Sequence, residues 1–138
     1  MKVRKRLIVL IAVFSSVWLI GCSEQKSKAS IPTFETADLQ QGRAIWMQVC
    51  RNCHLTGVAG APAIGDSQAW VPRIGKGTDA LYRSAIYGIK SDGKWMMPPR
   101  GGKDSLSDSQ VRLAVNYKLA AVDMLKDASL SPTLPQKE

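Results

Sequence analysis

The sequence predicts an all-α domain of three to five short helices. Three segments space their apolar residues at helical offsets, no segment shows the every-second-residue alternation of a half-buried strand, and the stretches between them are rich in Gly and Pro. At 138 residues there is room for one domain and hence for one dominant site.

Residues 1–6 carry four basic side chains and no acid, and the 14 residues that follow are almost entirely apolar. This is the pattern of an export signal, and it falls short of the roughly 20 residues an apolar helix needs to cross a bilayer. The run ends in Leu19-Ile20-Gly21-Cys22, which resembles the bacterial lipobox; the resemblance implies removal of residues 1–21 and acylation of Cys22, with Ser23 favouring the outer membrane. Without those 21 residues the net charge falls from +8 to +4, and the remaining cations are interspersed with acids, so nucleic acid is not the expected partner. Residues 22–35 are mostly polar and read as a flexible tether, residues 36–127 as the folded domain, and residues 128–138, with Pro132 and Pro135, as a disordered tail.

The first helix should open at Thr36 or Asp38, with Leu39, Ile45, Trp46, Val49 and Cys50 on its apolar side. A second starts at Thr78-Asp79, uses Leu81, Tyr82, Ala85 and Ile86, and stops at Gly88. The third and clearest follows the capping box Ser107-Asp108-Ser109-Gln110, with Val111, Ala114, Val115, Leu119 and Val122 on one face. Residues 57–65 and 91–102 read as loops, long for so small a domain unless they wrap around something. A folded part of about 90 residues commonly borrows stability from a cofactor, a metal or a disulfide.

The sequence names the cofactor. Cys50-Arg51-Asn52-Cys53-His54 is the C-x-x-C-H signature of covalent haem attachment: two thiols three residues apart at a helix end can bond the two vinyl groups of one haem edge, and His54 then lies beneath the iron. Other uses of the motif fit less well. Zinc needs four good ligands, and once Cys22 is assigned to lipid the chain offers one His and two Cys; a thioredoxin-like pair needs a strand-helix-strand setting, and a plain disulfide leaves His54 unexplained. On the opposite haem face a thioether is expected from the stiff loop Met96-Met97-Pro98-Pro99-Arg100-Gly101-Gly102, where both methionines are candidates and Met97, next to the prolines, is preferred.

Together with Val58-Ala59-Gly60-Ala61-Pro62, Gly65-Asp66, Trp70, Pro72-Arg73-Ile74, Leu81-Tyr82, Gly88 and Leu106-Ser107-Asp108, these residues resemble bacterial cytochrome c5, a subgroup of class I c-type cytochromes, over about residues 36–122. The resemblance implies the class I cytochrome c fold around one haem c, His54 and Met97 as axial ligands, and a proline carbonyl, best matched by Pro62, on the His54 ring. It also implies that Gly42 and Trp46 on the first helix cross Ala114 and Tyr117 on the last, and that Trp70, Arg73 and Tyr82 cover the haem edge or donate to its propionates. Two departures are visible: no Cys follows Cys53, so the second Cys pair of some members is missing, and Trp95-Met96 stand where small residues are expected.

With both axial positions filled by protein, the iron could only change oxidation state. The expected function is therefore that of a one-electron carrier and not an enzyme, anchored by lipid on the periplasmic side of a bacterial membrane. Its expected partners are redox proteins such as a membrane quinol-oxidising complex and a terminal oxidase or reductase. A haem enzyme or gas sensor with a labile Met97 is the competing expectation.

Overall fold

The computed structural model describes residues 31–130, with side chains as far as Ala128. Residues 1–30, including the expected signal and Cys22, and residues 131–138 lie outside the described residues. Five helices and one small hairpin make up the fold: α1 (Ala37–Gln48), α2 (Arg51–His54), α3 (Ser67–Ile74), α4 (Thr78–Tyr87), β1 (Ile89–Ser91), β2 (Lys94–Met97) and α5 (Asp108–Leu130).

The core is the crossing of α1 with α5. Gly42 makes it possible: a Cβ there would run into the backbone carbonyl of Leu113 and the Tyr117 side chain, so only a glycine lets the two helices approach this closely. Trp46 and Tyr117, both fully buried, stack obliquely in the space below with ring centroids 5.7 Å apart. They are the largest fully buried side chains among the described residues, and an aromatic of this kind removes some 150–250 Å² from water. Ile45, Val111, Ala114, Val115, Ala121 and Val122 complete the seam.

The helix starts follow their sequence signals. At α5 the backbone N–H of Ser107 donates to Oε1 of Gln110 at 2.9 Å, and the Gln110 N–H donates back to Oγ of Ser107 at 3.3 Å, which is the reciprocal capping box. α4 occupies residues 78–87 and ends at Gly88, whose φ of +79° a side chain would resist. α1 starts after Thr36, whose hydroxyl makes no cap hydrogen bond.

Four features depart from the sequence reading. α3 lies in a stretch with no expected helix; Asp66 caps it by accepting from the Ala69 N–H at 3.0 Å, and Pro72 near its end hid the pattern. The expectation of no strands is corrected by β1 and β2, which pair antiparallel around Asp92-Gly93. Both turn residues have positive φ, 50° and 74°, as the tightest hairpin turns require. Residues 31–35, expected in the tether, are docked on the domain: the Pro32 carbonyl accepts from the Tyr117 hydroxyl at 2.9 Å and from Nε of Arg43 at 3.2 Å, and Phe34 meets Tyr117 edge-on at 5.9 Å. Helix α5 continues to Leu130, beyond the expected domain end at residue 127. Among the described residues no helix is long and apolar enough to cross a membrane.

Candidate functional site

Beside the α1–α5 crossing lies an apolar cavity that opens to solvent, bounded by Trp46, Cys50, Ala85, Leu106, Val111 and Ala114 among others. His54 and Met97 line this same cavity. The structure thus brings together three of the expected site residues from separate segments: the end of the α1–α2 turn, α2, and the end of β2.

His54 is buried, 6 % exposed, and its ring is held from behind. Nδ1 lies 3.0 Å from the Pro62 carbonyl. A carbonyl oxygen only accepts, so Nδ1 carries the proton and donates it, leaving Nε2 with a lone pair free for a metal. The residue that accepts is the one the cytochrome c5 resemblance selected. Burial, then the positive charge of Lys118, pulls the His54 pKa from 6.5 down to about 4, so at neutral pH the ring is uncharged and able to ligate.

Two turns fix the loop that carries Met97. Gly88 abuts the Met97 carbonyl and the Trp95 ring; a Cβ would come within 2.7 Å of the first and 2.6 Å of the second. After the prolines, Arg100 forms an ion pair with Asp108 at 2.7 Å and donates to the Leu106 carbonyl at 2.8 Å, tying the loop to the start of α5. Met97 is half-buried in the cavity wall, whereas Met96 is 59 % exposed.

The remaining expected residues take other positions. Cys53 is exposed, one helical turn past Cys50. Among the described residues no disulfide joins the two. Burial pushes the Cys50 thiol above its usual pKa, the opposite of an activated redox thiol. Trp70 and Arg73 stand near His54 instead of lining the cavity. The Trp70 indole N–H is taken by the Ala63 carbonyl at 2.7 Å and its ring lies 5.9 Å from His54, against which it packs. Arg73 donates to the Ala69 carbonyl of its own helix, and the Tyr82 hydroxyl donates to Oδ1 of Asn116.

Two features of the lining escaped sequence reading. Trp46 Nε1 is buried with no hydrogen-bond partner. Lys118 also lines this apolar cavity, with its Nζ 3.8 Å over the Trp70 ring. An open apolar cavity with an orphaned indole N–H in its wall, a neutral imidazole and two cysteines in the C-x-x-C-H spacing at its mouth are what a flat, covalently held, axially ligated cofactor requires. The residues present fit haem c.

Residues 37–117 match the family described as cytochrome C oxidase, cbb3-type, subunit III. Cytochrome c-555 of Chlorobaculum tepidum is 45% identical over 80 residues, covering 58% of this chain and 73% of that protein. The chain belongs to the class I c-type cytochromes. Cytochrome c-555 of Chlorobaculum thiosulfatiphilum is 44% identical over 58% of this cytochrome and 92% of its own length. Cytochrome c5 of Ectopseudomonas mendocina is 41% identical over 48% of this chain and 72% of its own. A chain from a crystal structure of an electron transfer complex of nitrite reductase with cytochrome c superposes with a TM-score of 0.53 at 38% identity, over 59% of this chain and 94% of that one. The protein is accordingly an electron carrier that binds one covalent haem c.

Proposed function

We propose that this cytochrome is a periplasmic-side, lipid-anchored one-electron carrier whose haem iron is held between His54 and Met97. The observation that carries the reading is the convergence of His54, whose Nδ1–H donates to the Pro62 carbonyl, and Met97, fixed by the Arg100–Asp108 pair, on one apolar cavity beside Cys50. Bound haem supplies an iron that gains or loses one electron. Cys50 and Cys53 attach it through their sulfurs; His54 gives Nε2 and Met97 a soft thioether, which favours ferrous iron and a potential on the positive side. The apolar lining would keep water off the metal, and with His54 and Met97 both holding the iron no substrate could reach it.

Residues 1–21 serve as the signal, Cys22 as the acylated N-terminus in a membrane facing the periplasm, preferentially the outer one. The electron source and sink are a membrane quinol-oxidising complex and a terminal oxidase or reductase; the complex with nitrite reductase formed by the structural neighbour supports the reductase option. The test is an absorption spectrum, ferric and ferrous, of the protein matured with haem, with a pyridine haemochrome after denaturation. A sharp ferrous α band, haem retained on the unfolded chain, a weak sulfur-to-iron band in the ferric red region and no response to carbon monoxide are expected. Carbon monoxide binding at neutral pH would instead make it a sensor or enzyme.

A further inference from the structure

The cavity wall contributed by α5 consists of Val111, Ala114, Val115 and Lys118. An aliphatic side chain in the last position would satisfy packing as the other three do, so the charge there calls for a separate explanation. Lys118 is only 9 % exposed. Its Nζ sits 3.8 Å over the Trp70 ring, a cation–π contact, and that ring in turn lies against His54. The other cation of the lining, Arg100, has Asp108 as its counter-charge. The charged and titratable groups facing Lys118 give no such relief: Arg73 from α3 opposes its charge, His54 feels it as repulsion, and only the Cys50 sulfur, as a thiolate, would support it. Burial above all pulls the Lys118 pKa from 10.5 to about 7. Once the Cys50 sulfur is bonded to a vinyl carbon as a thioether it can carry no negative charge, so that support is lost on cofactor attachment.

Building on the haem-carrier reading, we infer that Lys118 is a tuning charge of the electron-transfer site, a positioned cation in the cofactor cavity that raises the iron's affinity for an electron. The reaction is one electron from a redox partner converting ferric to ferrous iron. No bond forms or breaks, and Lys118 keeps its proton. The reaction removes one positive charge from the centre, so a neighbouring cation in a poorly screened cavity favours the ferrous product. A unit charge about 10 Å away at an effective dielectric constant near 20 changes such an equilibrium by roughly tenfold. The cavity wall, not the axial ligands, supplies this term.

The experiment is spectroelectrochemical titration of the haem-loaded protein at pH 6, comparing wild type with Lys118→Met, Lys118→Gln and Lys118→Arg. Both neutral variants should show a ferrous-to-ferric ratio about tenfold lower at a given applied potential, equivalent to about 59 mV for one electron, while Lys118→Arg stays within about twofold of wild type. The sulfur-to-iron band and the ferrous α band should be the same in all four, which separates a lost charge from a lost ligand. Unchanged potentials in Met and Gln variants with intact bands would overturn the inference, and so would an Arg variant that drops as far as the neutral ones. Failure of the wild type to hold haem would instead overturn the carrier reading on which it rests.

Discussion

At the scale of single residues, the chemistry was legible wherever it depends on residue type and spacing. Cys50, Cys53 and His54 stand out by the C-x-x-C-H motif, and Met97 as the preferred candidate of two methionines by its place before two prolines. What could not be read is which side chains of α5 face the cavity, because that depends on the angle and register at which Gly42 lets α1 cross α5. Lys118 follows a buried tyrosine in a helix of mixed composition and looks like any solvent-facing lysine in sequence. The Trp70 indole was legible as a neighbour of the site but not as one whose N–H is already taken by Ala63. The choice between the two methionines left open by sequence now has a structural basis, since Met97 lines the cavity and Met96 is 59 % exposed. Met97→Ala should therefore abolish the sulfur-to-iron band, admit carbon monoxide and lower the midpoint potential, while Met96→Ala leaves all three unchanged. The reverse result in absorption and potentiometry would move the ligand to Met96.

At the scale of elements, α1, α4 and α5 were legible because their ends are marked: Thr36 or Asp38, Thr78-Asp79 with Gly88, and the Ser107–Gln110 box. α3 was not, because Pro72 interrupts an eight-residue helix too short to show two full periods. The hairpin was masked differently. Asp92-Gly93 is a strong turn signal, but strands of three and four residues whose side chains are exposed at every position except Met97 give no alternation to accompany it. That hairpin delivers Met97, and Gly88 is its fixed point: its φ is +79°, and the space beside its Cα is filled by Trp95, the Met97 carbonyl and the Pro99 nitrogen. Gly88→Ala should cost about 1–3 kcal/mol from the backbone alone, more with the collisions, and weaken the sulfur-to-iron band by displacing Met97. Thermal unfolding followed at that band measures both; a variant with wild-type melting and band intensity would show that the loop is not anchored there.

For the molecule as a whole, two buried cationic-capable groups link stability to pH in one direction. His54 in the fold has a pKa near 4 against 6.5 when unfolded, and Lys118 near 7 against 10.5. In both cases the unfolded chain binds protons more readily, so stability rises with pH. The His54 contribution, of order 3 kcal/mol, is complete above about pH 6.5 and is lost as the pH falls toward 4; the proposed ligation would act in the same sense, because a proton and the iron would compete for Nε2. The Lys118 contribution grows between about pH 7 and 10.5. Melting temperatures of the haem-loaded protein should climb from pH 4.5 to 6.5 and again from 7 to 9, with Lys118→Met removing the second rise and keeping the first. A flat profile above pH 7 in the wild type would mean that bound haem supplies a counter-charge and restores the ordinary pKa of the lysine. The Pro32 carbonyl, clamped by Tyr117 and Arg43, bears on behaviour at a membrane. With that residue pinned to the globule, and with Cys22 acylated as proposed, the leash is ten residue steps, at most about 35 Å when drawn out straight. A carrier on so short a leash samples a thin shell over its own bilayer, at an effective concentration far above that of a freely diffusing protein, and exchanges electrons only with partners whose periplasmic parts reach into that shell.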